Sequence, residues 1–102
     1  MHKLGKKEDF PEGTAVPMQV DGQAIVVCHL EGGKFYAVED RCSHDDEELS
    51  GGGLEGCELI CPRHGARFDV RDGSVTAPPA FYPIDTFEVT VRHGDVFVTL
   101  DG

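Results

Sequence analysis

Two short cysteine/histidine couplets carry the metal-binding chemistry of this chain. The first is Cys42-Ser43-His44 and the second is Cys61-Pro62-Arg63-His64, with sixteen residues between His44 and Cys61. Each couplet brings one thiolate and one imidazole within reach of a single metal atom, and both ligand types bind zinc and iron. The pair of couplets therefore predicts either one tetrahedral metal ion or a cluster of two irons.

Two simpler interpretations of these residues stay open at this point. A zinc site would use the same four ligands, although the single residue between Cys42 and His44 is shorter than the roughly two to four residues typical of structural zinc couplets. A disulfide between Cys42 and Cys61 would use the two cysteines, but it would explain neither histidine.

The couplets and the residues around them resemble the two cluster-binding loops of the Rieske [2Fe-2S] family. The resemblance continues through Gly65-Ala66-Arg67-Phe68-Asp69 and reaches Ala77-Pro78-Pro79, which is similar to the proline loop that covers the cluster in this family. The whole chain is similar in length and layout to the small soluble Rieske ferredoxins. This resemblance has implications for the cofactor, the fold and the partners of the chain.

The resemblance implies one [2Fe-2S] cluster as the cofactor, with Cys42 and Cys61 on one iron and His44 and His64 on the other. Two ferric ions, two sulfides and two thiolates leave the oxidised site neutral, and the reduced site carries one negative charge. Four thiolates would make both states two units more negative. Histidine ligands therefore make the addition of an electron easier.

Departures from the high-potential branch of the family predict a low reduction potential. That branch has an additional, disulfide-forming cysteine in each loop, where this chain has Glu47 and Arg63, and it has hydroxyl groups where this chain has Ala66 and Phe68. Fewer hydrogen-bond donors stabilise the reduced state less, and the acidic run from 45 to 48 adds negative charge. We expect a potential near the low end of the Rieske range, about −150 mV rather than about +300 mV.

Length and charge restrict the class of protein. The 102 residues predict a single domain over residues 1–102 with a modest core. Nine basic and nineteen acidic residues give a formal net charge of −10, which disfavours binding to nucleic acid or to an anionic membrane and favours docking to a basic protein surface. Without an apolar run of about twenty residues or a signal-peptide segment, we expect a cytoplasmic monomer that does not contact a membrane.

The hydrophobic pattern predicts an all-β fold. Strands are expected over 16–20, 24–30, 34–38, 58–60, 67–70, 87–92 and 96–100, with hairpin signals at Asp21-Gly22 and Asp72-Gly73. The first three strands are expected in meander order, and the last two are expected to return to the same sheet. We expect the antiparallel β-sheets of the Rieske fold, in a sandwich or barrel arrangement, with a small inserted cluster-binding subdomain at about residues 41–80. The first ten residues are interpreted as a solvated stretch, and one helical turn is possible at 45–49.

The remaining cysteines and histidines are predicted to have no ligand role. Cys28 lies in an apolar run and is expected as a buried strand residue, whereas Cys57 is expected as an exposed turn thiol. The histidines His2, His29 and His93 lie outside the reach of the couplets and are expected at the surface or in a sheet.

The resemblance implies electron transport as the function. We expect a one-electron carrier rather than an enzyme, because the chain has no substrate-pocket signature and no 2-His-1-carboxylate iron site. Such ferredoxins pass electrons from a flavin-dependent, NADH-oxidising reductase to the terminal oxygenase of an aromatic-ring dioxygenase system. The alternatives are a redox partner in iron-sulfur cluster assembly, the small subunit of a nitrite reductase, and a zinc-stabilised binding module.

Overall fold

The computed structural model describes residues 1–42, 48–63 and 65–100, which form two antiparallel sheets. The larger sheet has six strands: β1 (His2–Lys6), β2 (Thr14–Val20), β3 (Gln23–His29), β4 (Phe35–Glu39), β9 (Thr86–Arg92) and β10 (Asp95–Thr99). The smaller sheet has four strands: β5 (Leu54–Glu55), β6 (Glu58–Ile60), β7 (Arg67–Asp69) and β8 (Val75–Ala77). One 3-10 helix, Lys7–Asp9, follows β1, and within the described ranges no helix is long and apolar enough to cross a membrane. The predicted all-β class is confirmed.

Two-residue turns set the register of the six-stranded sheet, which has the order β1-β10-β9-β4-β3-β2. Asp21 and Gly22 have φ angles of 50° and 82°, and His93 and Gly94 have φ angles of 54° and 80°. Positive φ at both central residues is the type I′ geometry, whose twist matches that of the strands it joins. The predicted meander from β2 to β4 and the return of the last two strands to the first sheet are confirmed.

Strand β3 lies between two separate apolar clusters. Ile25 and Val27 belong to the cluster inside the six-stranded sheet, together with Phe10, Val96 and Val98. Val26 and Cys28, on the opposite face of the same strand, belong to the cluster that covers the four-stranded sheet. Because successive side chains of a strand point to opposite faces, the unbroken apolar run of β3 is what burial on both faces requires.

The four-stranded sheet has the order β5-β6-β7-β8 and lies in the chain between β4 and β9. Its strands are two or three residues long. Arg67 of β7 pairs with Glu55 of β5 at 3.2 Å and with Glu58 of β6 at 3.1 Å. This guanidinium joins three of the short strands through their side chains.

Three strands were missed by the sequence pattern. β1 occupies the stretch predicted to be solvated, where it pairs with β10 so that His2 is opposite Val98. β5 and β8 are too short to show an alternation of apolar and polar residues. The helical turn considered at 45–49 lies mostly outside the described residues, and residues 48 and 49 are irregular.

Strand β2 is an edge strand of the six-stranded sheet, and a proline lies near its middle. Pro17 is exposed and is opposite Val26 of β3. A proline has no backbone N–H to donate, so within sheets it is tolerated mainly on edge strands.

Candidate metal centre

The two cysteines of the couplets lie in one apolar cluster. Cys42, which follows β4, has no exposed surface, and Cys61, which follows β6, is 1% exposed. The cluster around them includes Leu49, Leu59 and Phe68. All four cysteines of the chain are described and none forms a disulfide, so the interpretation of Cys42 and Cys61 as a disulfide is wrong.

The two histidines of the couplets, His44 and His64, lie outside the described residues. Among the residues that are described, no group of three or more histidine, cysteine, aspartate or glutamate side chains could hold a metal ion. Residues 1–42, 48–63 and 65–100 therefore offer no competing metal site of that size.

Asp40 organises the chain on both sides of the first couplet. Its Oδ1 accepts hydrogen bonds from the backbone N–H groups of Leu49 at 2.8 Å and Ser50 at 2.7 Å, and its Oδ2 accepts one from the Ser50 hydroxyl at 2.8 Å. One carboxylate thus fixes the segment after the couplet to the residue two positions before Cys42. This role was not predicted from the sequence, although aspartate is a common partner for backbone N–H groups in such turns.

A tight turn presents the second couplet. The Cys61 N–H donates to the Ala66 carbonyl at 2.7 Å, and the Gly65 N–H donates to the Cys61 carbonyl at 3.0 Å. Gly65 has a φ of 76°, which a residue with a side chain rarely adopts. The turn therefore depends on a glycine directly after His64.

The two loops press against each other at Gly52. A Cβ atom on this glycine would overlap the carbonyl oxygen of Ile60 and would lie 2.9 Å from the backbone nitrogen of Pro62. Of the three consecutive glycines at 51–53, Gly52 is the one that close packing requires. The chain between the couplets thus returns directly onto the segment that carries Cys61.

Arg63 also links the two loops. Its Nη2 donates a hydrogen bond to the Glu48 carbonyl at 2.8 Å and lies 3.8 Å from the sulfur atom of Cys61. The sequence singled out Arg63 only as a residue that replaces a cysteine, because the pattern gives no information on where its long side chain points.

The cysteines outside the couplets have different environments. Cys28 is fully buried, as predicted, and burial raises the pKa of its thiol to about 12. The prediction of an exposed Cys57 is wrong. Cys57 is half-buried against the apolar cluster, its carbonyl accepts the Val70 N–H at 2.9 Å, and its side chain is hydrogen-bonded to Asp69.

An ion pair fixes the turn after β7. The guanidinium of Arg71 donates to the Asp69 carboxylate, with Nη2 2.7 Å from Oδ2. This hydrogen bond is the largest influence on the Asp69 carboxyl, and it lowers the pKa of that group although desolvation acts in the opposite direction. The Gly73 N–H donates to the Asp69 carbonyl at 2.7 Å. The Asp72-Gly73 turn predicted from the sequence is therefore present, with its first residue held by a charge pair.

The histidines outside the couplets match their predicted surroundings. His29 is a buried residue of β3 whose Nδ1 is 2.7 Å from the Phe10 carbonyl and whose ring stacks on Phe35 at 4.0 Å. His2 is in β1 and His93 is in the last hairpin turn.

The segment after β8 contributes both to the core and to the surface. It contains the cis peptide bond between Pro78 and Pro79. Ala80 and Ile84 are buried in the same cluster as the two couplet cysteines. Between them, Phe81 and Tyr82 are 81% and 71% exposed. The proline segment thus places two aromatic side chains in solvent next to the buried cysteine region.

The donor set fits a [2Fe-2S] cluster. Two thiols that are buried and not joined to each other lie in one apolar cluster. The Asp40 carboxylate fixes residues 49 and 50 beside the first thiol, and a backbone turn follows the second. Ala66 directly precedes β7, and Phe68 lies within it. Both are fully buried in this region, and neither has a hydroxyl group to donate to a cluster.

Comparison with known proteins identifies the family. The family model of the Rieske [2Fe-2S] domain matches residues 1–88. This chain belongs to the Rieske [2Fe-2S] domain family. The family's cofactor is one [2Fe-2S] cluster, so that prediction is confirmed and the zinc module is wrong.

Relatives with established names agree with this Rieske assignment. The ferredoxin subunit of 3-phenylpropionate/cinnamic acid dioxygenase from Escherichia coli (strain K12) is 39% identical over 93 residues, which cover 90% of this chain and 86% of that protein. The ferredoxin component of biphenyl 2,3-dioxygenase from Rhodococcus jostii (strain RHA1) is 39% identical over 100 residues, with 98% and 92% covered. These relatives are carriers and not the catalytic components, which confirms the prediction of a Rieske ferredoxin rather than an enzyme.

A solved structure agrees with the observed fold. In the complex of reduced oxygenase and oxidized ferredoxin of carbazole 1,9a-dioxygenase, the matching chain has a TM-score of 0.88 and is 36% identical, with 95% of this chain and 99% of that chain covered. The predicted Rieske fold is confirmed.

Proposed function

We propose that this chain is the ferredoxin component of an aromatic-ring dioxygenase system. It takes one electron at a time from a flavin-dependent, NADH-oxidising reductase and delivers it to a terminal oxygenase. The observation that carries the proposal is the 39% identity to two dioxygenase ferredoxins over nearly the full length of each. When bound, the cluster accepts and releases a single electron.

The proposed ligands are Cys42, His44, Cys61 and His64, with the cysteines on one iron and the histidines on the other. The burial of both cysteine side chains supports this set, because a thiolate in an apolar region needs a metal or another cation to offset its desolvation. The order of the couplets in the chain supports it as well, since each contributes one ligand of each kind. We further propose that residues 41–80 act as one cluster-binding subdomain of a single domain.

The low potential expected from the sequence is also part of the proposal. Ala66 and Phe68 are fully buried beside the cysteines. A side-chain hydroxyl at either position would add a donor whose bond strengthens as negative charge collects on the sulfur atoms. We propose a potential near the low end of the Rieske range, about −150 mV.

Docking to the terminal oxygenase is proposed at the end of the molecule that carries Phe81 and Tyr82. Exposed aromatic side chains supply contact area at low entropic cost and are enriched at the centres of protein interfaces. The chain has a formal net charge of −10, which suits an oxygenase surface rich in lysine and arginine around an apolar centre. The carrier is proposed to act in the cytoplasm as a monomer, so that both partners reach the same surface.

Electron transfer to purified partners tests the function. The reduced protein is mixed with the candidate oxygenase, and the oxidised protein with the candidate reductase, while the visible absorption of the cluster is followed by stopped flow. We expect fast transfer in both steps, with rates that fall as ionic strength rises, because salt screens the attraction between the charged surfaces. Rapid transfer to a nitrite reductase or a cluster-assembly protein but not to an oxygenase would contradict the proposal.

A variant separates apolar docking from charge attraction. Replacing Phe81 and Tyr82 together by alanine should slow transfer to the oxygenase by about tenfold or more, as expected when central aromatic contacts worth more than about 1.4 kcal/mol are removed. The matched control is Val91→Ala, which truncates an exposed apolar residue of β9 and should leave the rate unchanged. Equal rates in both variants would exclude the aromatic pair from the interface.

A further inference from the structure

Arg63 contacts both cluster loops with one guanidinium group. Its Nη2 is 2.8 Å from the Glu48 carbonyl oxygen and 3.8 Å from the Cys61 sulfur. Glu48 directly precedes Leu49, which is fully buried and whose N–H is held by Asp40. The arginine therefore joins a fixed part of the first loop to the cysteine of the second loop.

The hydrogen bond to Glu48 has a structural consequence. It connects residues fifteen positions apart. The bond therefore ties the segment between the two couplets to the second couplet. A guanidinium presents several N–H donors in one rigid plane, which allows it to hold two acceptors at a defined separation. A lysine ammonium on its flexible stem would hold the same two acceptors less firmly.

The position beside Cys61 has an electrostatic consequence. A guanidinium is always charged, and a nearby cation favours the more negative of two states. The reduced site carries one negative charge more than the oxidised site, so Arg63 favours reduction. Because Arg63 is exposed, solvent screens much of this interaction, and the effect is a shift of the potential and not a requirement for reduction.

We propose that Arg63 is a positioning residue of the cluster site that holds the two loops together and raises the reduction potential. This inference rests on the proposed ligand role of Cys61. It also assigns opposite directions to two features of the second loop: the absence of hydroxyl donors at Ala66 and Phe68 lowers the potential, and the charge of Arg63 partly offsets that decrease.

Three substitutions separate the two effects. Arg63→Gln removes the charge and the rigid plane, whereas Arg63→Lys keeps the charge and removes the plane. Arg92→Gln is the matched control, because it removes the same charge from an exposed position on β9 in the other sheet. Folding of each variant is checked by far-ultraviolet circular dichroism, and Arg63→Met is a second neutral variant if Arg63→Gln does not fold.

Two measurements read the two effects. Spectroelectrochemical titration of the holoproteins should give a lower potential for Arg63→Gln than for Arg92→Gln, with Arg63→Lys close to the parent. Hydrogen exchange of the holoproteins should be about fivefold faster at the Leu49 and Ser50 amides in both Arg63 variants, as expected for the loss of one hydrogen bond. The exchange measurement is independent of electron transfer and of the reduction potential.

The two roles of Arg63 can fail separately. Equal potentials for Arg63→Gln and Arg92→Gln would overturn the electrostatic effect. Unchanged exchange at Leu49 and Ser50 in both Arg63 variants would overturn the positioning role. A parent holoprotein without the absorption of a Rieske cluster would instead contradict the proposed ligand set and function.

Discussion

The two sheets of this molecule are built in different ways. The six-stranded sheet has strands of five to seven residues, and the seven residue pairs of β2 and β3 form an unbroken ladder. The four-stranded sheet has strands of two or three residues, and its shape depends on turns, on a glycine contact and on side chains such as Arg67, Asp40 and Arg63. The first sheet has the longer ladders, and the second lies beside the loops that carry the proposed ligands.

The difference in strand length leads to different expectations for how each sheet is stabilised. Long ladders with an apolar interior form without any cofactor, since burial of apolar surface drives them. Strands of two or three residues bury too little surface to be stable alone. We therefore expect the smaller sheet to depend on the bound cluster far more than the larger one does.

Removing a proposed ligand would give the largest effect and the clearest test of this comparison. Cys61→Ser should abolish the visible absorption of the cluster, because serine is a poor iron ligand in place of a thiolate. Amide hydrogen exchange should then become much faster in β5 to β8 and change little in β2 and β3, since cluster binding and the folding of the smaller sheet are coupled.

The matched control for this experiment is Cys57→Ser. Cys57 lies in the same small sheet region, but we propose no ligand role for it, and serine retains a donor for the bond to Asp69. The cluster should therefore be retained. Loss of protection in both sheets at once after Cys61→Ser would show that the two sheets unfold as a single unit.

Truncation of one core residue in each sheet would sharpen the comparison. Ile25→Ala and Leu59→Ala each remove side-chain atoms from a fully buried site and should lower the free energy of unfolding by about 2–5 kcal/mol. In the holoprotein, Ile25→Ala should weaken amide protection throughout, whereas Leu59→Ala should weaken it chiefly in β6 and β7. Denaturant titration gives the free energies, and identical exchange patterns would remove the distinction between the sheets.

Adding a hydroxyl group beside the proposed cluster would test the smaller sheet as a determinant of potential. Phe68→Tyr, with or without Ala66→Ser, should raise the reduction potential because the new donors bond more strongly to the reduced site. Each kcal/mol of difference between the two states corresponds to roughly 40 mV for one electron. If the double variant titrates at the potential of the parent, the hydroxyl groups do not point towards the cluster.

The charge pair of the smaller sheet should have the smallest effect. The bond from Arg71 lowers the pKa of Asp69 below its ordinary value of 3.8, so its stabilisation is complete above that pH and is lost as the pH falls through the lower, folded-state pKa. Since Arg71 is exposed and solvent screens the pair, we expect only a small contribution to the free energy of unfolding. Asp69→Asn should reduce the decrease in the free energy of unfolding at acid pH, measured by urea titration. An unchanged decrease would show that other carboxylates cause it.

Strands were predicted best from the sequence where a hydrophobic pattern extends over five or more residues. The apolar run in β3, the alternation in β9 and β10 and the two-residue turns predicted five of the six strands of the larger sheet to within about two residues. Strand β1 was missed because its lysines and glycine hide a pattern that only pairing with β10 explains. β5 and β8 were missed because a strand of two or three residues has no measurable period.

For the candidate site, the sequence predicts a set of ligands but not how the surrounding loops are arranged, and the ligand roles stay predictions. Spacing and residue type singled out Cys42 and Cys61, whose burial the structure describes, while His44 and His64 lie outside the described residues and stay predictions. The contacts of Asp40, Gly52 and Arg63 depend on how two loops meet in space, which no local pattern encodes. The half-buried position of Cys57 likewise results from tertiary packing.

Pro17 near the middle of the edge strand β2 has a consequence for behaviour at high concentration. An edge strand presents unpaired N–H and C=O groups that can recruit the edge of another molecule, which is a common first step of aggregation. Proline interrupts the row of donors in the middle of β2, while the ladder with β3 continues on both sides of it. The interrupted edge thereby disfavours growth into sheets with copies of the same chain.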